Sequence, residues 1–360
     1  MRMKHMRSSS HSPSLLTFVL FTITTAASFM MLFYALLAAT APCAVLAKCY
    51  HGFHSAFSFD AHNAHYPTWM KELPDALNFS SLSVPGTHDT MTYNIGSEIL
   101  QCQNWNLTVQ LESGMRYFDI RARLRDNELQ IYHGDGYTGH SYEEVLLDMF
   151  EFLDRNPSEA IVMRLKQEGG ALGTNNTRNF EEAFNFYHDA SPTTSAGSKK
   201  HIYAFNETAP LPTLGSLRSK IWILQNFPAA SGDPNQYGLA WEGKQMILED
   251  DYIVKDIAHL YLKWQAIEAA LQKSSVDFPT DNNTALYLAH VSASVGVLPI
   301  EAAAGPRNRT VQGMNDMTGQ WLEKFEDDEK YGSRAGIVIL DFPGKRLIDG
   351  ILQRNEMFLE

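Results

Sequence analysis

Cysteine is scarce in this chain, with Cys43, Cys49 and Cys102 as the only three among 360 residues. Neither Cys49 nor Cys102 lies where a strand-like apolar run ends in ionisable residues, so the sequence disfavours a catalytic thiol. Cleavage before Lys48 would leave two cysteines that could pair in an oxidising compartment. The sequence leaves open whether Cys49 and Cys102 form a disulfide.

Positive charge is also in short supply, because 29 Lys and Arg residues face 41 Asp and Glu residues and give a net charge of −12. The first 47 residues carry Arg2, Lys4 and Arg7 and no acid, so the remainder is more acidic still. Such a surface excludes an electrostatic nucleic-acid binder, and any anionic substrate must bind in a local basic pocket. The hydrophobic content of 44% provides ample core and excludes a disordered or fibrous chain.

Other signs of particular chemistry are missing as well. No Gly-x-Ser-x-Gly motif is present, which disfavours a serine hydrolase and a covalent mechanism. The pairs His51/His54 and His62/His65 have ligand-like spacing, but no cysteine or acid framework surrounds them, so metal binding there is disfavoured. The sequence ends without a hydrophobic tail, from which we expect no C-terminal lipid anchor.

A long hydrophobic run is present near the amino terminus. Residues 1–14 are basic and Ser-rich, and Leu15 to Ala41 continue for 27 residues without a charge. The pattern predicts a targeting segment over residues 1–47, either a signal peptide cleaved after Ala47 or a signal anchor able to cross the roughly 30 Å hydrocarbon core. Both outcomes predict an exported domain, secreted or anchored on the extracytoplasmic side of a membrane.

The N-glycosylation signals in the sequence also support export through the secretory route. Their number is about twice what chance would supply, and none has proline in its middle position. The six N-x-S/T sequons begin at Asn78, Asn106, Asn175, Asn206, Asn282 and Asn308. We therefore expect a glycoprotein, without assigning use to any single site.

Short apolar runs rich in β-branched and aromatic residues recur along the chain and predict buried strands. The predicted strands are residues 117–124, 129–132, 160–165, 220–226, 286–291 and 336–340. Amphipathic helices are predicted at 142–155, 253–273, 310–326 and 345–355, and polar surface loops at 189–200 and 292–308. The alternation favours an α/β fold, an irregular TIM (β/α)8 barrel in one domain over residues 67–360, after a linker at 48–66.

Several strand-like runs end in polar or ionisable residues. A single His or Asp in such a place is more often a hydrogen-bonded structural group, but recurrence at five strand ends favours a site. The residues are His88, Asp89, Arg121, His133, Lys166 and Asp341. In a parallel barrel the carboxyl ends of the strands face one rim, so these side chains should converge. Two imidazoles can divide proton transfer, carboxylates can orient them, and a guanidinium can bind phosphate oxygens, which suits cleavage of a phosphate ester.

The motifs around these residues extend over nearly the whole of residues 67–355. They are Trp69-Met70 to Pro74, Ser83-Val84-Pro85-Gly86-Thr87-His88-Asp89-Thr90, Phe118-Asp119-Ile120-Arg121, Ile131-Tyr132-His133-Gly134, Asn156-Pro157-Ser158-Glu159, Met163-Arg164-Leu165-Lys166 and Leu340-Asp341-Phe342-Pro343. This ordered set resembles the phosphatidylinositol-specific phospholipase C X-domain family, most closely its bacterial-type, single-domain members. The resemblance implies an irregular TIM barrel with phosphodiesterase activity on a phospholipid or glycophospholipid at a membrane surface.

The resemblance also implies roles for individual residues. His88 is expected to be the general base that activates the inositol 2-hydroxyl, with Asp341 holding its ring. His133 is expected to be the general acid that protonates the diacylglycerol oxygen, helped by Asp89, and Arg121 is expected to bind the phosphate. The nucleophile belongs to the substrate, so the attack is intramolecular and gains from proximity. The implied products are diacylglycerol and inositol 1,2-cyclic phosphate.

Further positions match the inositol pocket of such enzymes. They are Lys166 and Asp250, with Tyr252 as a wall against which the ring stacks. The neighbouring Asp251 is the alternative candidate for the same position. The alternative interpretation of Asp250 is an exposed acid in a loop, without a role in binding. Asn226 stands where bacterial members carry a headgroup-binding arginine, so strict specificity for phosphatidylinositol is not implied.

Calcium-dependent relatives place an Asn after the first histidine and an acid near the arginine position. Asp89 and Arg121 occupy those places here, and a guanidinium already supplies the positive charge, so we expect no metal and no other cofactor. His140 and His290 are expected to be structural or surface groups, and no obligate protein partner is evident. Two alternatives stay open: cleavage of glycosylphosphatidylinositol anchors or another phosphodiester, and a barrel that binds phosphoinositide or glycan without turnover.

Overall fold

The computed structural model of the protein describes residues 53–280, 283–324 and 334–359. The predicted targeting segment, residues 1–47, lies outside these ranges. Within them, no helix combines the length and the apolar character that a membrane span requires.

The central feature is a ten-stranded sheet that curves around a buried interior. Ten of the twelve described strands belong to it, whereas β9 and β11 form a separate two-stranded sheet. The twelve strands are β1 Val84–Thr87, β2 Tyr117–Arg125, β3 Glu128–His133, β4 Gly136–Ser141, β5 Ala160–Gln167, β6 Lys220–Asn226, β7 Leu239–Ala240, β8 Met246–Glu249, β9 Ile253–Val254, β10 Leu286–Val291, β11 Ser294–Val295 and β12 Ile337–Leu340. Eight parallel strands follow the order β7-β6-β5-β2-β1-β12-β10-β8, and the antiparallel strands β3 and β4 extend from β2. The described residues show no pairing between the edge strands β7 and β8, so the sheet forms an irregular half-barrel.

Most helices cover the outer face of this sheet, whereas the short helix Leu214–Leu217 packs its two leucines against the apolar cluster inside the barrel. The helices are α1 Leu107–Glu112, α2 Tyr142–Arg155, α3 Phe180–Asn185, α4 Ser195–His201, α5 Leu214–Leu217, α6 Leu260–Asp277, α7 Pro299–Ala304, α8 Met314–Glu323 and α9 Lys345–Leu352. Helix α2 begins where the sequence predicts it, because Ser141 and Glu144 form a reciprocal capping box at its first turn.

Successive side chains of a strand point to opposite faces of the sheet. The strands therefore contribute to two apolar clusters, one inside the barrel and one between the sheet and the helices. Val162 and Trp222 belong to the cluster inside the barrel, whereas their neighbours Met163 and Ile223 pack outward against the helices. Strands β1 and β2 approach closely at Gly86, where an added Cβ would lie 2.6 Å from the Cβ of Tyr117. Only glycine permits this contact, which sits two residues below His88.

Three secondary-structure predictions are wrong. The helix predicted at 253–273 begins only at Leu260, because Ile253–Val254 pairs with Ser294–Val295 in a separate two-stranded sheet. The predicted loops at 189–200 and 292–308 contain the short helices α4 and α7. Helices this short take their stability from tertiary packing, which a periodic sequence pattern does not record.

Residues 53–66 belong to the stretch that the sequence suggests is a linker, but they pack against the barrel. Phe57 is 2% exposed within the outer apolar cluster. The backbone N–H of Phe59 donates to the carbonyl of Phe342, and the N–H of Lys345 donates to Asp60 Oδ1, both at 2.9 Å. This stretch therefore covers the end of β12, whereas the domain boundaries at 47 and 67 stay predictions.

Glu159 and Arg116 form a fully buried ion pair at the amino-terminal ends of β5 and β2. Glu159 Oε2 accepts hydrogen bonds from Arg116 Nε at 3.0 Å and Nη2 at 2.8 Å. Removing one partner of a buried pair leaves an uncompensated charge, so we expect Glu159→Ala to lower the free energy of unfolding by about 3–5 kcal/mol in urea titrations. The control is Glu112→Ala, which breaks a part-exposed bond to Arg155 and should cost under about 1 kcal/mol. Equal losses for the two variants would contradict this prediction.

Candidate active site

The positions that face the barrel interior change from apolar to polar at the carboxyl ends of the strands. Arg121 on β2 pairs in register with Lys166 on β5, which pairs in turn with Asn226 on β6. One layer deeper, Asp119 pairs with Arg164. The parallel register therefore brings charged groups of β2 and β5, and the neutral amide of Asn226 on β6, to the same rim.

The two predicted catalytic histidines lie side by side at this rim. The ring centroids of His88 and His133 are 6.3 Å apart and the rings are nearly perpendicular. Between them lies Asp89 Oδ2, at 3.2 Å from His88 Nε2 and 3.3 Å from His133 Nε2. One buried carboxylate oxygen is therefore shared by the two imidazoles.

The remaining nitrogen of each ring has its own partner. His88 Nδ1 lies 2.9 Å from Asp341 Oδ1, and His133 Nδ1 lies 2.8 Å from the carbonyl of Leu100. These contacts leave both Nε2 atoms directed toward Asp89 and the mouth of the barrel. The amide of Gln103 donates to the carbonyls of His88 and Leu340, both at 2.8 Å, which joins the ends of β1 and β12.

Arg121 is held by two acids beside the imidazoles. Its Nε and Nη2 donate to Asp119 Oδ2 at 2.9 and 2.7 Å, and its Nη1 lies 3.0 Å from Asp89 Oδ2. The side chain is 12% exposed, so the fixed guanidinium borders the mouth. A planar fork held in this way suits a phosphate oxygen.

Burial and the neighbouring charges set the ionisation of this cluster. Burial, followed by the positive charge of Arg121, holds the pKa of His88 well below its usual 6.5, so the ring is neutral and able to accept a proton. Burial also raises the pKa of Asp89 and, together with the charge of Asp89, raises the pKa of Asp341. Burial opposes the ionisation of Asp119, but the positive charge of Arg121 and then of Arg164 holds the Asp119 pKa well below its usual range.

The backbone is strained immediately after two of these residues. Asp89, next to His88, has a φ of 41°, and Phe342, next to Asp341, has a φ of 46°. Residues other than glycine adopt this left-handed region at a cost, and such residues concentrate at functional sites. The strained turns direct the Asp89 and Asp341 carboxylates to opposite sides of the His88 ring.

Of the three predicted substrate-binding residues, Lys166 and Asp250 lie at this mouth, and Tyr252 lines a neighbouring cavity that His88, His133 and Arg121 do not border. Lys166 Nζ lies 2.6 Å from Glu168 Oε2, and Glu168 Oε1 accepts from the N–H of Gly134, next to His133. Asp250 lies 3.8 Å from His290 Nδ1, whereas its rival Asp251 is exposed. Tyr252 is half exposed and lines, with Asp250, a cavity of about 540 Å³.

Four further residues of this cluster had no role predicted from the sequence. Asp119 and Arg164 each stand two residues before an assigned residue and therefore face the same side of the strand, a signal that was present in the sequence. Glu168 follows Lys166 by the same interval. His290 was expected to be a structural or surface group, and it is fully buried, with its ring 6.1 Å from that of His88.

His290 and His140 differ in their surroundings. Burial, followed by the charge of Arg164, lowers the pKa of His290 to about 3, so this ring is neutral. Its Nδ1 lies 3.1 Å from the carbonyl of Glu249. His140 instead packs against Tyr93, with ring centroids 4.6 Å apart and the rings tilted by 36°, and its Nδ1 lies 3.6 Å from Glu144.

One group of side chains has the ligand types of a metal site. His88, Asp89 and Cys102 offer ligand atoms that lie within 4.8 Å of one another. The guanidinium of Arg121 already pairs with Asp89, and burial raises the pKa of the Cys102 thiol well above its usual range, so the arrangement disfavours a cation. Cys102 is a free, buried cysteine, and Cys49 lies outside the described residues.

Comparison with known proteins agrees with this geometry. The family described as phosphatidylinositol-specific phospholipase C, X domain, matches residues 82–226. A 1-phosphatidylinositol phosphodiesterase of Listeria monocytogenes is 32% identical over 301 residues, which cover 80% of this chain and 84% of that protein. One of Staphylococcus aureus is 24% identical and covers 81% of this chain and 93% of its own length.

Solved structures show the same fold. The phosphatidylinositol-specific phospholipase C from Listeria monocytogenes is similar with a TM-score of 0.62 and 31% identity, over 81% of this chain and 99% of that chain. This likeness confirms the predicted irregular TIM barrel. The chain therefore belongs to the phosphatidylinositol-specific phospholipase C X-domain family.

Proposed function

We propose that this protein cleaves phosphatidylinositol-type lipids to diacylglycerol and inositol 1,2-cyclic phosphate by metal-independent acid–base catalysis. The observation that carries this proposal is the pair of imidazoles, 6.3 Å apart, that share Asp89 beside the fixed guanidinium of Arg121. The names of the bacterial relatives, which are 1-phosphatidylinositol phosphodiesterases, support the substrate class.

The reaction follows from the positions of these groups. The neutral His88 ring accepts the proton of the inositol 2-hydroxyl as its oxygen attacks phosphorus. The bond between phosphorus and the diacylglycerol oxygen breaks, and His133 donates a proton to that leaving oxygen. Arg121 neutralises the charge that grows on the nonbridging oxygens in the transition state. Asp341 keeps the His88 ring oriented throughout.

We also propose that the enzyme acts outside the cytoplasm, at a membrane surface. Asn106, Asn175, Asn206 and Asn308 are exposed and available for glycosylation, whereas Asn78 is half-buried and Asn282 lies outside the described residues. Ile253 and Val295, on the paired strands β9 and β11 next to Asp250, are 67% and 72% exposed. Apolar side chains in this position suit contact with the lipid surface that carries the substrate.

The test is incubation of the full chain with radiolabelled phosphatidylinositol in mixed micelles that contain excess chelator. We expect inositol 1,2-cyclic phosphate as the first soluble product, at a rate that the chelator does not change. A chelator-sensitive rate would contradict metal independence, and a linear phosphate as first product would contradict intramolecular attack. Parallel assays on a glycosylphosphatidylinositol-anchored protein decide between the two lipid classes, and binding without product release would favour the non-catalytic alternative.

The lowered pKa of His88 predicts the acid side of the pH profile. A general base must be unprotonated, and His88 stays unprotonated below pH 6.5 because its pKa is held under that value. We therefore expect kcat/KM to persist below pH 6.5 and to fall only at more acidic pH. Arg121→Met removes a charge that lowers this pKa, so its acid limb should move to higher pH. A limb at pH 6.5 or above in the wild type would contradict the prediction.

A further inference from the structure

We propose that Arg164 is a positioning residue, which turns the amide nitrogen of Asn226 toward the mouth of the barrel, where this N–H binds a hydroxyl group of the substrate's sugar ring. The inference rests on the proposed function, because it assumes that the substrate headgroup is a polyol. It identifies a donor at the position where the sequence suggested that a headgroup contact was lost.

Arg164 is a buried cation on the wall of the active site. Its side chain is 6% exposed, and its Nη1 lies 3.4 Å from Asp119 Oδ1, the acid that also holds Arg121. Its Cζ lies 3.8 Å from the ring centroid of Trp241. The guanidinium is thus fixed from two sides and lies one layer below the groups expected to bind the phosphate.

The third contact of Arg164 fixes the orientation of Asn226. Nε and Nη2 of Arg164 both donate to Asn226 Oδ1, at 3.1 and 2.8 Å. A guanidinium has donors only, so the amide oxygen must face it and the amide nitrogen must face away. Asn226 is half-buried at the end of β6, and in the described part of the chain its Nδ2 donates to no acceptor. The pair therefore presents an oriented N–H group at the mouth.

Asn226 stands at the level where the headgroup is expected. Its register partner is Lys166, which is itself the register partner of Arg121. A ring whose phosphate is bound by Arg121 and that extends across these strands would meet the Asn226 N–H.

An acceptor completes the subsite. Asp250, with 29% of its side chain exposed, lies at the same mouth. Burial raises the pKa of Asp250, and Arg164 is the largest of the charges that oppose this rise, so one buried guanidinium acts on both Asn226 and Asp250. A sugar hydroxyl both donates and accepts, and a neutral N–H donor and a carboxylate acceptor at one mouth match that chemistry.

Aromatic rings connect the proposed sugar subsite to the proposed base. The ring of Trp241, which covers Arg164, lies 5.9 Å from the ring of His290, and His290 lies 6.1 Å from His88. Buried ring contacts therefore connect the residue that covers Arg164 to the proposed base.

The test uses myo-inositol, an uncharged probe, and measures its binding to the full chain by calorimetry and its inhibition of turnover. We expect Asn226→Ala, which removes the amide, and Asn226→Leu, which keeps a similar shape without a hydrogen-bond donor, each to weaken myo-inositol binding about tenfold. For a soluble inositol phosphodiester, KM should rise by a similar factor while kcat changes less than about threefold, because the proton-transfer groups are untouched. Inhibition by inorganic sulfate should be unchanged in Asn226→Ala, because sulfate probes the Arg121 site.

A second comparison isolates the role of Arg164. Arg164→Met should weaken myo-inositol binding at least as much as Asn226→Ala does, because the arginine acts on both Asn226 and Asp250. In the Arg164→Met background, the further loss caused by Asn226→Ala should be much smaller than its loss in the wild type, because the amide is then no longer oriented. Wild-type myo-inositol binding by either Asn226 variant, or additive losses in the double variant, would overturn the proposal. Since binding is measured without turnover, intact myo-inositol binding with no lipid cleavage would overturn the proposed function alone.

Discussion

Alanine at position 88 is expected to lower kcat on phosphatidylinositol by about 10³- to 10⁴-fold, because the substrate hydroxyl loses its general base. His88 is the ring whose Nδ1 is held by Asp341 and whose Nε2 faces the mouth, and its low pKa keeps it ready to accept a proton. The measurement is release of radiolabelled inositol 1,2-cyclic phosphate under saturating substrate.

The matched control for this variant is His140→Ala. His140 lies outside the cluster, packed against Tyr93, so its loss should leave kcat within about twofold of the wild type. Thermal unfolding of both variants shows whether any loss reflects folding. Equal kcat values for the folded His88→Ala variant and the wild type would refute the assignment of the base.

Arg121→Lys is expected to lower kcat by about 10²- to 10³-fold although the charge is kept. The guanidinium contacts Asp119 through two nitrogens and Asp89 through the third, and an ammonium cannot hold both acids and a phosphate oxygen in one plane. Single-turnover measurements separate this loss in the chemical step from weaker substrate binding.

Arg125→Lys serves as the control, because this residue lies at the exposed end of the same strand and bonds only to the Tyr132 hydroxyl among described hydrogen bonds. It should leave kcat unchanged. Full activity of Arg121→Lys would mean that a positive charge alone is enough at this position, against the geometric argument.

Much of the barrel was predictable because its long strands are buried on both faces. Strand β6 has the predicted bounds 220–226, and β10 has the predicted bounds 286–291, since each is an apolar run that stops at polar residues. Strands β7 and β9 have two residues each, too few to show any period. Their existence depends on neighbours far away in sequence.

The active site, like the fold, was predictable from the sequence only in part. The strand-end rule brings His88 and Asp341 together from a span of more than 250 residues, because the parallel register of β1 and β12 fixes that convergence. It does not account for His133, which reaches the site at the end of the antiparallel strand β3. The rule says nothing about the layer below. Whether Arg164 reaches Asn226 depends on which residues of β5 and β6 are register partners, and a single sequence does not contain that information.

The carboxylate oxygen that lies between the two imidazoles has a consequence for successive turnovers. In the proposed reaction, His88 finishes with an extra proton and His133 finishes without one. Asp89 Oδ2 is 3.2 Å from the first ring and 3.3 Å from the second, so it offers a relay by which the surplus can return to its origin. The resting ionisation can then be restored inside the site, without waiting for exchange with bulk solvent.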